Sequence, residues 1–185
     1  MNAAILLRQP TIRLFGDIDD ELYSCFTRNL SRALEREKVP VLELSTLGGD
    51  ADIARRIAVE IRLLREERGL TPLFIGKAFV YSAGVTIMSA FRREHRYLTR
   101  ETRLLVHERR LDKEVKFSGP LSANLQRARE LVAEMENGID IEDGGFQTLV
   151  EGTEISLDEI RTRARANWYL SAQEALQYRL IADVV

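Results

Sequence analysis

Ser82, His107 and the pair Gly48-Gly49 are the residues of this chain whose types and surroundings could do chemistry together. Ser82 follows an apolar run, Leu73 to Val80, with the length and β-rich composition of a buried strand. It precedes small and apolar residues, Ala83 to Phe91, of the kind that fill a buried helix. A hydroxyl at such a junction lies near the positive end of the helix dipole. A second short apolar run, Thr102 to Val106, ends in His107. A serine and a histidine so placed are the parts of a nucleophile and its general base. Gly48-Gly49 lies where a strand hands over to a helix, and glycines there let free backbone N–H groups approach a ligand. Each feature also has an ordinary structural reading: a helix cap, a half-buried packing histidine, a tight turn.

The elements that must position these residues can be read from hydrophobic periodicity. Thr11 to Phe15 alternates and reads as a first strand. Asp17 or Asp19 can cap a helix with a stripe at Leu22, Phe26, Leu30 and Leu34, ending near Lys38. Val41 to Ser45 is a second strand, and Ile53, Ile57, Ile61 and Leu64 mark the helix after the diglycine. The alternation of strand and helix predicts right-handed crossovers and a mainly parallel sheet. Sites in such sheets form at the carboxyl ends of the strands, where Gly48-Gly49, Ser82 and His107 all fall. That placement puts backbone N–H groups near Gly49 and Ala83 where an oxyanion would develop.

After His107 the chain is charged through Lys116. Leu121, Leu125, Ala128, Val132 and Met135 then form an apolar stripe, interrupted at Gly138 and Gly144-Gly145 and resumed from Phe146 to Val150. This reads as a long, broken helical arm that packs against another subunit. Ser156 with Glu159 has the spacing of a capping box, Ser171-Ala172-Gln173-Glu174 opens one more helix, and Leu180 to Val185 closes as a strand.

The 185 residues fit one domain, and 45% hydrophobic residues suffice for a core. A formal net charge of −2 exerts no global pull on nucleic acid or anionic lipid, so neither is expected as a partner. The arginine runs at Arg92-Arg93, Arg109-Arg110 and Arg161 to Arg165 read as solvated faces or salt-bridged contacts. One cysteine allows no intrachain disulfide, and with two histidines it builds no His/Cys metal motif. No apolar run is long enough to span a bilayer and no signal peptide is evident, which points to the cytoplasm.

The strand-Gly-Gly-helix at Gly48-Gly49, the segment Gly76…Ser82-Ala83-Gly84, the run Leu104-Leu105-Val106-His107 and the stretch Tyr169-Leu170-Ser171-Ala172-Gln173-Glu174-Ala175 together resemble the ClpP family, the proteolytic subunit of the Clp protease. The likeness runs from about Thr11 to Val185. It implies an α/β ClpP/crotonase-like fold, residues 1–185 as a single domain, with a projecting handle at about 117–152. It implies a serine endopeptidase with Ser82 as nucleophile, His107 as general base and oxyanion N–H groups at Gly49 and Ala83, needing no cofactor and no metal. Peptides or unfolded proteins are the implied substrates, and a homo-oligomeric ring joined through handles the implied assembly. The family's partner is a Clp-type ATPase. Because the chain starts almost at its first strand, the segment that lines the family's axial entrance is short, which argues against docking of that partner.

Three departures stand out. The family's triad acid is replaced by Asn167, which can orient an imidazole but not neutralise it; in trypsin, losing that charge costs about 10⁴ in kcat. Gly76 to Ser82 is two residues longer than the family pattern, and Leu47 replaces a proline. These departures keep a second reading open, a catalytically weak or inactive structural homologue. A third is an acyl-CoA enzyme of the crotonase type, for which the pocket segments offer no matching glutamate.

Overall fold

The computed structural model describes residues 7–185. Residues with alternating polarity form β1 (Ile12–Phe15), whose Ile12 and Leu14 point into the core while Arg13 and Phe15 face outward. Asp19 accepts the Leu22 N–H at 2.8 Å and starts α1 (Asp20–Glu35), which buries Leu22, Phe26 and Leu30. A side-chain cap of this kind is worth about 1 kcal/mol. β2 (Val41–Thr46) is buried along most of its length, and Asp50 caps α2 (Ala51–Glu66) by accepting from Asp52 and Ile53 N–H. β3 (Leu73–Tyr81) leads through Ser82 into α3 (Ala83–Ser89), and short strands β4 (Arg96–Leu98) and β5 (Arg103–Val106) follow. The remaining elements are α4 (Leu121–Val150), α5 (Leu157–Arg165), β6 (Trp168–Ser171), α6 (Ala172–Gln177) and β7 (Asp183–Val184).

The strands form one sheet in the order β1-β2-β3-β4-β7, parallel throughout that path. The sheet forks at β3. Phe74 to Gly76 pair with β4, while Phe79 to Tyr81 pair with β5, which in turn pairs antiparallel with β6. Between the two halves the register against β2 slips: Leu44 faces Gly76, but Thr46 faces Val80. The extra residues bulge outward with Ala78 at φ 58°, Phe79 half exposed and Lys77 bonded to the buried Glu43 carboxylate at 2.7 Å. The added length between Gly76 and Ser82 is therefore absorbed before the serine is reached.

One face of the sheet, through Ile12, Leu14, Leu42, Leu44 and Phe74, packs on α1, α2 and α3. The other carries a smaller cluster of Val41, Leu73, Ile75 and Leu7. Two sequence expectations change. α4 runs unbroken through Gly138, Gly144 and Gly145. At Ser156 only the Ser-to-Glu159 N–H half of the box forms, and the reciprocal box lies at Ser171–Glu174. Two of the three arginine runs make ion pairs within the chain: Arg109 to Asp52, Arg161 to Asp143 and Asp158, Arg163 to Glu159, Arg165 to Glu108.

Candidate active site

Ser82 sits at φ 54°, ψ −122°. For a residue with a Cβ this is a strained conformation, of the kind that persists only where the surroundings impose it. They do so here from both sides. The Ser82 N–H donates to Leu105 O at 2.8 Å, and its carbonyl accepts from Val85 N–H at 2.9 Å in the first turn of α3. The side chain makes no cap bond to the helix. The capping reading of this serine is thus set aside: its hydroxyl is not used by the helix, and the strained strand-to-helix turn is of the nucleophile-elbow kind.

Gly48 and Gly49 pass beside it. A Cβ on Gly48 would stand 2.9 Å from Ser82 Cβ, and one on Gly49, at φ 138°, would stand 2.5 Å from Ile18 O. Both positions therefore require glycine. The loop is held by Thr46, whose Oγ1 accepts the Gly48 N–H at 3.0 Å. Ile18 holds it from the other side, donating to Gly48 O and accepting from Asp50 N–H. Among the described residues neither the Gly49 N–H nor the Ala83 N–H, in the first turn of α3, is taken up by these contacts. Orphan donors of this kind can face a developing negative charge.

His107 follows β5 and is half buried. Its Nδ1 lies 2.6 Å from the Glu108 carbonyl oxygen, which favours a proton on Nδ1 and a free acceptor at Nε2. Ser82, His107, Gly49 and Ala83 line one cavity of about 770 Å³, so the structure brings four of the five expected site residues together. No hydrogen bond joins Ser82 to His107 among the described residues. Asn167 stands apart. It is exposed, at φ 57°, with its N–H bonded to Ala164 O at 3.0 Å, and it is not part of the cavity wall. The register Val106↔Trp168 brings it alongside His107, but its side chain makes no hydrogen bond to the ring.

Sequence reading missed the residues that hold the site from outside. Thr46 is buried and had no local signal beyond preceding the diglycine. Arg96, the first residue of β4, is 3% exposed. Its guanidinium donates to the carbonyls of Phe91, Ser89, Leu149 and Leu180, joining the end of α3 to the end of α4. Burial lowers its pKa to about 10, which leaves it charged at neutral pH. Glu142, on α4, also lines the cavity.

The chain is thus an α/β protein with a mostly parallel sheet, a strained serine and a glycine loop meeting at the strand ends. A family profile described as Clp protease matches residues 2–185, and the chain belongs to that family of serine peptidases. It is 26% identical over 182 residues to the ATP-dependent Clp protease proteolytic subunit 2 of Treponema pallidum, covering 97% of this chain and 83% of that protein. To the protein of the same name from Pseudomonas aeruginosa it is 29% identical over 182 residues, covering 97% and 82%. Among solved structures, an asparagine-to-aspartate mutant of ClpP1 from Listeria monocytogenes aligns with a TM-score of 0.75 at 22% identity, over 99% of this chain and 95% of that one. The fold is that of ClpP. No helix among the described residues is long and apolar enough to cross a membrane.

Proposed function

We propose that this chain is an endopeptidase that cleaves peptides or unfolded proteins through an acyl-enzyme on Ser82. The observation that carries the reading is the strained backbone of Ser82 beside the Gly48-Gly49 loop, in one cavity with His107. His107 Nε2 takes the Ser82 proton as Oγ attacks the peptide carbonyl. The N–H groups of Gly49 and Ala83 hold the oxyanion. The imidazolium then protonates the leaving amine, and water, activated by the same imidazole, releases the acyl group. The Ser82–His107 hydrogen bond forms when substrate is bound, since catalytic contacts are often long without ligand and tighten in the complex. Asn167 serves, at most, to orient the ring.

The same reading takes residues 1–185 as a single domain, with a handle at about 117–152 that joins copies into a ring. Support comes from α4, where Leu121, Leu125, Val132, Met135 and Ile139 are all exposed at heptad-like intervals. Such a seam suits packing against another helix. A Clp-type ATPase partner is part of the family's pattern, and no feature described above selects one.

Labelling with a fluorophosphonate, read by intact mass and peptide mapping, tests the mechanism. The expected result is one adduct on Ser82, lost in Ser82→Ala and in His107→Ala. The second reading, a catalytically weak homologue, draws on the uncharged Asn167, whose side chain makes no hydrogen bond to the ring. Folded, assembled protein that takes no adduct would establish it over the first.

A further inference from the structure

An imidazolium formed at His107 needs a negative charge nearby, and neither its hydrogen-bond partner nor the residue beside it in the strand register supplies one. The Glu108 carbonyl at Nδ1 is neutral, and Asn167 is an amide. The acidic side chains around the loop are mostly engaged elsewhere. Glu108 pairs with Arg165 at 3.1 Å, Asp143 with Arg161 at 2.7 Å, and Asp52 with Arg109 at 3.0 Å. Asp50 caps α2. Asp140 is on the cavity wall but exposed.

Glu142 differs from all of these. It is half buried, lines the cavity with His107, and has no ion-pair partner among the described residues. Its carboxylate accepts the backbone N–H of Arg109, two residues beyond the histidine. A carboxylate on α4 is thereby fixed to the very segment that carries the base. Burial pushes the Glu142 carboxyl up, as do Glu108 and Asp143, whereas the Arg109 N–H and the charge of His107 pull it down.

We propose that Glu142 is a positioning residue of this site: it anchors the His107–Arg109 backbone and supplies the negative charge that Asn167 cannot. The proposal rests on the Ser82–His107 reading for its catalytic meaning, but its electrostatic content can be measured without turnover. The charged groups around this corner are Glu108, Arg109 and Arg110 on the loop, Asp50 at the start of α2, Asp52, Arg55 and Arg62 on α2, Asp140 and Asp143 on α4, and Arg165 on α5.

The test is an NMR titration of the imidazole protons in the full chain. With two histidines, His95→Gln assigns the signals. Glu142→Gln keeps an oxygen for the Arg109 N–H and removes the charge. It should move the titration of the His107 imidazole signals to lower pH, as loss of a neighbouring negative charge does, and leave those of His95 in place. Asp143→Asn, which removes the adjacent charge on the Arg161 side, should move His107 by less than half as much. Coupling is reciprocal, so His107→Gln should raise the Glu142 carboxyl pKa, read from its ¹³C shift; this arm stands even if Glu142→Gln fails to fold. An unmoved His107 in folded Glu142→Gln, an equal shift in Asp143→Asn, or an unmoved Glu142 in His107→Gln would overturn the proposal. The acid limb of fluorophosphonate labelling at Ser82 should shift to lower pH in Glu142→Gln with the NMR value. Coupling without any Ser82 labelling would refute the peptidase reading and leave the charge assignment standing.

Discussion

Replacing Ser82 by glycine and by alanine should separate the chemistry of this residue from its backbone. Both variants lack the hydroxyl, so both should lose fluorophosphonate labelling. They differ in strain. Alanine keeps a Cβ at φ 54°, ψ −122°, whereas glycine adopts that conformation freely. A residue held in such a region costs about 1–3 kcal/mol. Glycine loses about 0.4–1 kcal/mol of this through the greater freedom of its unfolded chain. The glycine variant should therefore be more stable than the alanine variant by about 1–2 kcal/mol. For a chain of this length that is roughly 2–8 °C in Tm. Alanine itself should lie within about 0.5 kcal/mol of the wild type, because the Ser82 side chain makes no cap bond to lose. The assay is thermal or urea unfolding at one fixed protein concentration, since assembly makes Tm concentration-dependent. Equal stability of the two variants would mean that the backbone relaxes when the hydroxyl is gone. The strain would then not be imposed by Leu105, Val85 and the glycine loop, and the elbow argument would fail.

Three further outcomes follow from the same geometry. Asn167→Asp should raise turnover of a small peptide ester by roughly tenfold, well short of the 10⁴ seen for the trypsin charge, because Glu142 already supplies part of the field. The gain should be larger in a Glu142→Gln background, a non-additivity that a double-mutant cycle measures, and no gain in either background would show that this position is not limiting. Gly49→Ala should destabilise the chain by about 3 kcal/mol or more and abolish labelling, as its Cβ would press on Ile18 O at 2.5 Å; a wild-type urea midpoint would contradict the packing. Arg96→Leu should cost at least about 3 kcal/mol in urea unfolding, since it strips buried carbonyls of their donor, and a smaller loss would mean that those carbonyls find other partners.

Sequence patterning exposes whatever repeats locally. The period-four stripe of α1, the alternation of β1 and the position of Ser82 between an apolar run and small residues each follow from a few neighbouring side chains. The fork in β3 does not. Gly76 to Val80 reads as one strand, because nothing in a period of two says that the partner changes from β4 to β5 or that the register slips against β2. The glycines of α4 mislead for a related reason. Each costs a helix about 1 kcal/mol relative to alanine, enough to suggest a break. Yet Phe146 and Leu149 are buried, Arg161 holds Asp143, and Arg96 holds the Leu149 carbonyl, so tertiary contacts carry the helix across.

Arg96 and Glu142 show where local reading stops altogether. An arginine a few residues after Arg92-Arg93 looks solvated, and an acidic residue on a long amphipathic arm looks like surface. Arg96 is buried because the carbonyl ends of α3 and α4 converge on one point and a forked cation satisfies them together. Glu142 shares the cavity with His107 and holds the Arg109 N–H, on a helix whose last turn is fixed by that convergence. A carboxylate from a helix outside the sheet can thus be brought to the segment of a histidine whose neighbour across the sheet is only an amide. On this argument the charge of the site is carried by the arm, not by the strand that bears Asn167. Substitutions that loosen the Arg96 contacts should then weaken the His107–Glu142 coupling without touching either residue. The readout is the His107 titration in Arg96→Lys, where one ammonium replaces a fork that bonded several carbonyls. A His107 pKa that falls toward its value in Glu142→Gln would confirm that the base of α4 sets the field at the histidine. A wild-type value would detach the two.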